Sequence, residues 1–375
     1  MDSHESTFQS ALHVMPGVEG GHDGLPGQGS QDAAPTESHQ HDYHRREMTT
    51  QEYLEGIESG DRTRLAKAIT LIESNSAAHF EKAQEVLKHI LPHTGGSIRI
   101  GITGVPGAGK STFIESFGTY LTGAGKKVAV MAVDPSSSVT GGSILGDKTR
   151  MEKLATDPNA FIRPSPSGGT LGGVARKTRE ALLVFESAGY DVVLVETVGV
   201  GQSETTVRSM VDFFLLVLVP GAGDELQGIK KGVVELADAI LINKADGANL
   251  IPAQSARVEY ERALHYLQPA TEGWQTIALT ASAMTGEGIP EVWQTIQSFV
   301  QSTQLSGAFQ KRRRAQERDW VRALIEGQLK EEFYENPKVQ ALLPKLDDAV
   351  MAGEMPATAA AQQLLGAFRS AQAAK

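Results

Sequence analysis

The segment Gly104-Val-Pro-Gly-Ala-Gly109-Lys110-Ser111 restricts this chain more than any other. It matches G-x-x-x-x-G-K-[ST], with the apolar run Ile98–Thr103 before it and a helix-forming stretch from Ser111 after it. Glycines let the backbone N–H groups curl around phosphates, and a helix N-terminus adds positive potential at the same point. The expected cradle is Gly104, Val105, Pro106, Gly107, Ala108, Gly109, Lys110, Ser111 and Thr112. In it Lys110 reaches the β- and γ-phosphates and the Ser111 hydroxyl sits on Mg²⁺. A strand–loop–helix of this kind belongs to an α/β fold of the P-loop NTPase type.

Apolar runs at Ile98–Thr103, Val128–Val133, Val192–Val195, Phe213–Val219, Ala239–Ile242 and Thr276–Leu279 are six candidate strands. They are near-continuously apolar, as strands covered on both faces are, and helical stretches separate most of them. A mostly parallel sheet covered by helices follows. Before it, Tyr53, Leu54, Ile57, Leu65, Ile69 and Ile72, then Ala83, Val86, Leu87 and Ile90, recur at three- and four-residue steps. The expected organisation is a disordered tail over 1–46, a helical N-terminal extension over 47–94, the nucleotide-binding domain over 95–305, and a helical C-terminal arm and tail over 306–375. Lys311, Arg312, Arg313 and Arg314 open that arm and read as a solvated helix start.

Three further segments carry chemistry. Glu196-Thr-Val-Gly199-Val-Gly-Gln-Ser-Glu204 ends a strand of the same sheet. There a carboxylate can hold the metal through water, and Gly199 can offer its N–H to the γ-phosphate. Asn243-Lys244-Ala-Asp246 follows a later strand, and an Asp carboxylate accepts from both N1–H and the exocyclic amine of guanine, a pairing adenine lacks. Ser282, Ala283 and Met284, after the last strand, are expected to close the base pocket through backbone N–H groups. Asp134-Pro-Ser-Ser and Gly146-Asp147-Lys-Thr-Arg150 are acidic positions suited to a Mg²⁺ shell or a switch. Asp-Pro and Gly-Asp are also ordinary turn dipeptides, and spacing alone does not choose between the two.

A net charge of −10 argues against nucleic acid as the main partner, because neutralising phosphates takes clustered Lys and Arg. No apolar run has the length of a membrane span. The chain has no cysteine, which excludes disulfides, thiolate metal sites and a cysteine nucleophile. The N-terminus shows neither a secretory apolar core nor an arginine-rich transit pattern, so the expected location is cytoplasmic. His4, His13, His22, His39, His41 and His44 are six of the ten histidines, without regular ligand spacing.

Gly-Val-Pro-Gly-Ala-Gly-Lys-Ser-Thr, Val-Asp-Pro-Ser-Ser, Gly-Asp-Lys-Thr-Arg-Met and Glu-Thr-Val-Gly-Val-Gly-Gln-Ser-Glu together resemble the MeaB/ArgK family of G proteins. Pro220-Gly-Ala-Gly-Asp-Glu-Leu-Gln-Gly-Ile-Lys-Lys-Gly232 fits the same pattern, and the likeness runs from about Tyr53 to Leu329. The resemblance implies a GTP hydrolase that acts as a chaperone of adenosylcobalamin-dependent methylmalonyl-CoA mutase or a related acyl-CoA mutase. It implies Mg²⁺ as cofactor, GTP and GDP as ligands, and a homodimer built on the arm from Arg312 to Leu329, with Trp320. It implies metal contacts at Ser111, Asp134, Asp147 and Glu196, and catalytic roles for Lys110, Asp147 and Glu196. It also implies switch regions around Asp147, Gly199–Glu204 and Asp224–Lys230. The alternative is a metal-delivery GTPase of the nickel-insertion type, for which the His-rich tail is the support and the lack of cysteine the objection. An ATP-driven kinase or transport ATPase is a third class, against which Asn243–Asp246 stands.

Overall fold

A computed structural model describes residues 47–133, 151–164, 171–197, 203–221 and 231–372. Asp134, Asp147, Gly199 and the Asp224–Lys230 stretch lie outside the described residues, as does the His-rich segment.

Three helices come first: α1 (Thr50–Glu58), α2 (Arg62–Glu73) and α3 (Ala77–Ile90). Helix α1 starts where it does because Thr49 and Glu52 cap each other. The Glu52 N–H donates to Thr49 Oγ1 at 3.2 Å, and the Thr49 N–H donates to Glu52 Oε2 at 2.7 Å. Asp61 caps α2 by accepting from the Arg64 N–H at 2.8 Å.

The alternating part then runs β1 (Ile98–Gly104), α4 (Lys110–Gly123), β2 (Val128–Val133), α5 (Glu152–Thr156), β3 (Ala160–Arg163), α6 (Leu171–Ser187) and β4 (Val192–Thr197). It continues with α7 (Ser203–Arg208), β5 (Phe213–Leu218), α8 (Lys231–Leu236), β6 (Ala239–Ile242), α9 (Leu250–Leu264), β7 (Ile277–Thr280) and α10 (Ile289–Leu305). The seven strands form one sheet in the order β3-β2-β4-β1-β5-β6-β7, and every pair is parallel. All strand C-termini therefore share one edge, and the chain crosses from one side of β1 to the other between β4 and β5. Ligands of open parallel sheets bind at such a crossing.

Strand β3 is the one the apolar runs do not announce. It has only four residues behind Asp157-Pro158, and its pairing to β2 (Val128↔Ala160) rather than its own length makes it a strand.

The period-2 alternation of the strands sorts the core onto two faces. Ile100, Ile102, Val192 and Leu194 pack with Phe113 and Phe117 of α4 and with Val292, Ile296 and Phe299 of α10. Val193, Val195, Met131 and Phe214 face the other way, onto Leu182 and Phe185 of α6. Helices α1 to α3 cover that face further through Ile57, Leu65, Ile69, Val86 and Ile90.

The chain ends in α11 (Ala308–Glu335), α12 (Pro337–Met351) and α13 (Ala357–Gln372). Pro337 cannot continue α11, and Asn336 caps the next helix by accepting from the Lys338 N–H at 3.0 Å. Val339, Leu346, Ala360 and Leu364 form a small separate core, with Phe333 of α11 and Phe368 of α13 packed against it. The start of α11 is not a solvated face. Lys311 is exposed, but Arg313 is buried and grips Asp212 with Nε at 2.7 Å and Nη2 at 2.6 Å. Arg312 bonds to the Asp212 carbonyl and to Asp238. The basic run is the fastening of the arm to the base of the sheet.

Candidate functional site

The site is built at the C-terminal edge of β1, β4, β5 and β6. Strand β1 delivers Gly104 against β5 with Gly104 opposite Val217, and α4 takes up the chain at Lys110. A side chain at Gly104, whose φ is +151°, would bring its Cβ to 2.0 Å from the Val217 carbonyl oxygen. Only glycine fits there. Between these points the loop closes on itself, the Ala108 N–H donating to the Val105 carbonyl at 3.1 Å.

Lys110 donates to the carbonyls of Gly104 at 2.9 Å and Val105 at 3.3 Å, so its ammonium lies across the cradle it is expected to serve. Burial lowers its pKa below that of an ordinary lysine, partly offset by the carboxylates of Glu196 and Glu204. Glu204 is fully buried on α7.

Glu196 sits opposite Ile102 in the β1–β4 register. It is buried, and its Oε1 accepts from Ser111 Oγ at 3.1 Å. The fold thus brings together the two described residues of the expected metal set, one strand end against one helix start. A hydroxyl and a carboxylate are the hard oxygen donors that Mg²⁺ selects, so the pair fits that ion. One residue further on, Thr197 Oγ1 donates to Thr103 Oγ1 at 2.8 Å, both side chains fully buried. This tie between the two strand ends has no signature in the sequence.

The base side is assembled by Asn243. Its side chain is buried, donates through Nδ2 to the Ala108 carbonyl at 2.8 Å, and accepts at Oδ1 from the Ala283 N–H at 3.2 Å. One amide therefore joins the phosphate loop to the loop after β7. Lys244 adopts a left-handed φ of +60° and stands exposed beside the loop, while Asp246 accepts a hydrogen bond from Ser282 Oγ. The amide of Ser282 donates to the Glu287 carbonyl at 2.9 Å, and that of Ala283 is taken by Asn243. In this structure the Ser282 hydroxyl is bonded to the Asp246 carboxylate, and its N–H is engaged by Glu287. Met284, after β7, is exposed.

Comparison with known proteins gives one answer. The family model described as methylmalonyl-CoA mutase-associated GTPase MeaB matches residues 65–338. A putative GTPase of Caulobacter vibrioides is 57% identical over 310 residues, covering 83% of this chain and 95% of that protein. The methylmalonic aciduria type A homolog of Mus musculus is 46% identical over 325 residues, covering 84% of this chain and 78% of that protein. A crystal structure described as a LAO/AO transport system kinase superposes with a TM-score of 0.70 at 40% identity, over 86% of this chain and 99% of that one. That match spans the loop after β1, the end of β4 and the loops after β6 and β7: this chain belongs to the MeaB family of methylmalonyl-CoA mutase-associated GTPases.

Proposed function

We propose that this chain binds and hydrolyses GTP as a homodimer, timing the loading and protection of the cofactor of an adenosylcobalamin-dependent acyl-CoA mutase, with methylmalonyl-CoA mutase as the client its relatives point to. The observation that carries the nucleotide reading is Asn243. By bonding the phosphate loop to the loop after β7, it places Asp246 at a set distance from the cradle.

In this reading the glycine loop and the start of α4 receive the β- and γ-phosphates. Lys110 leaves the carbonyls of Gly104 and Val105 for phosphate oxygens, where its charge is stabilised. Ser111 and Glu196 would hold Mg²⁺, which when bound neutralises charge building on the phosphate oxygens. Asp134 and Asp147 complete the proposed shell, and Asp147 joins Lys110 and Glu196 in the catalytic set. Asp246, held by Ser282, accepts from guanine, and Lys244, Ala283 and Met284 wall the base. Among the described residues no strong general base faces the cradle, so slow intrinsic turnover, accelerated by the client, is the expected behaviour.

The test is GTP turnover by the purified chain with and without saturating mutase. Acceleration supports the chaperone reading, and an unchanged rate removes it. For the base, Asp246→Asn should move preference from guanosine to xanthosine triphosphate, because the amide then complements the xanthine edge. A wild-type chain selective for ATP would end the guanine assignment.

A further inference from the structure

Helix α7 lies between the nucleotide site and the long helix α11, and its two ends are held differently. Toward the site, Glu204 is fully buried, and α7 packs against β4, which carries Glu196, and against β1, which leads into the phosphate loop; the Glu204 charge also acts on Lys110. Four residues on, one helical turn along the same face, Arg208 ends the helix.

The Arg208 guanidinium is nearly buried, with 12% of its side chain exposed. Its Nε donates to the Leu236 carbonyl, the last residue of α8, at 2.9 Å. Its Nη2 lies 3.5 Å from Asp238 Oδ1 and 3.5 Å from Thr271 Oγ1. Asp238 is completely buried and also receives Arg312 of α11 on its other oxygen at 3.4 Å. One carboxylate therefore holds a guanidinium from the nucleotide side and one from the arm.

A second contact joins the same two elements through backbone. Gln316 of α11 donates to the Arg208 carbonyl at 3.3 Å and to the Val211 carbonyl at 2.8 Å. Arg179 of α6 clamps the junction from outside, donating to Ser209 Oγ and the Ser209 carbonyl, both at 2.7 Å, and to the Gln316 carbonyl at 3.3 Å. Charge-assisted bonds of this kind are short-ranged and directional, and with water excluded they leave little room to slide. The C-terminal end of α7 is thus bonded to α11 directly, through Gln316, and indirectly, through Asp238.

We propose that Arg208 is a positioning residue for GTP hydrolysis: with Gln316 it makes α11 the brace that holds α7, and Glu204 on it, against the phosphate-binding lysine. Arg208 acts through α7 and touches no substrate. Misplacement of a catalytic group by a fraction of an ångström lowers a rate while leaving ground-state binding largely intact. The proposal rests on the GTP-hydrolysis reading and not on the identity of the client.

The test uses the full-length chain with Mg²⁺, measuring GTP turnover and, separately, the affinity for a fluorescent GDP. Hydrolysis by the wild-type chain is measured first and tests the underlying reading; the ratio of variant to wild type then tests the brace. Arg208→Met is expected to lower kcat about tenfold with GDP affinity within about twofold of wild type. Gln316→Ala, which leaves Arg208 in place and removes only the arm's side of the link, is expected to lower kcat in the same direction by a smaller factor. A fall of kcat and affinity together in Arg208→Met would mark a purely structural role and overturn the proposal. So would a Gln316→Ala variant with wild-type kcat, since α11 would then play no part. If Arg208→Met does not fold, Gln316→Ala decides alone.

Discussion

Lys110, the proposed phosphate-binding lysine, shows how much a single residue's chemistry depends on what surrounds it. Lys110 lies on two carbonyls of its own loop, and its pKa is lowered by burial despite the nearby Glu196 and Glu204. In the free chain the depression means the folded state holds fewer protons than the unfolded one between the lowered pKa and the ordinary lysine value of 10.5. This group's contribution to stability therefore rises with pH across that window. Nucleotide binding reverses the balance, because phosphates favour the charged form. Binding should take up a proton in the alkaline range, and affinity should fall as pH rises through it. Calorimetric titration with GDP in two buffers of different ionisation enthalpy reads the uptake directly, and Lys110→Met should abolish it. Zero uptake by the wild-type chain would show that Lys110 keeps the same protonation state when nucleotide binds. The motif made this lysine legible in the sequence because strand, loop and helix lie within a few residues of it. The role of Ser282 was not legible, since its hydroxyl meets Asp246 across 36 residues of chain and its amide is spent on Glu287.

At the scale of elements, the reading fails where long-range pairing decides the outcome. The run Lys311–Arg314 has the composition of a solvated helix start, yet Arg313 closes a bidentate pair with Asp212 from 101 residues away. Its guanidinium also donates to the carbonyls of Gly95 at 2.8 Å and Ser97 at 2.7 Å. No local pattern separates Arg313 from the exposed Lys311 and Arg314. The helical phase of α11 selects it, and that phase is set by where α10 ends. Strand β3 escaped notice for a related reason, being too short for periodicity and made a strand by its neighbour. Removing one partner of a buried ion pair strands the other charge. Arg313→Met should therefore cost about 3–5 kcal/mol in chemical denaturation, even though Asp212 keeps the Arg99 N–H at 2.8 Å. Replacing Arg313 and Asp212 together by apolar residues of similar volume should cost less than Arg313→Met alone, because no uncompensated charge remains. A double replacement costing the sum of the two single ones would show that the pair is worth no more than its separate contacts.

At the scale of the whole molecule, one group of exposed apolar side chains among the described residues lies on the arm. The first turns of α11 are tied down by Arg312, Arg313 and Gln316, and the last is covered by the small core of α12 and α13. Between them Val321, Leu324, Ile325 and Leu329 follow helical spacing, with exposures of 55%, 38%, 54% and 55%. The proposed homodimer would cover this stripe with its counterpart on a second copy. In a two-fold interface each residue meets its own counterpart or a near neighbour, so any change is counted twice. Four such side chains from each protomer, each about half exposed, would contribute to such a pair by burying the apolar area they still show. Ile325→Asp puts two carboxylates into that seam and should convert the dimer to monomer in sedimentation equilibrium at micromolar concentration. GDP affinity should stay unchanged, since the cradle lies on the sheet edge and takes no residue from the stripe. A wild-type chain that sediments as a monomer would remove the homodimer from the proposed function. A dimer that survives Ile325→Asp would move the interface elsewhere on the molecule.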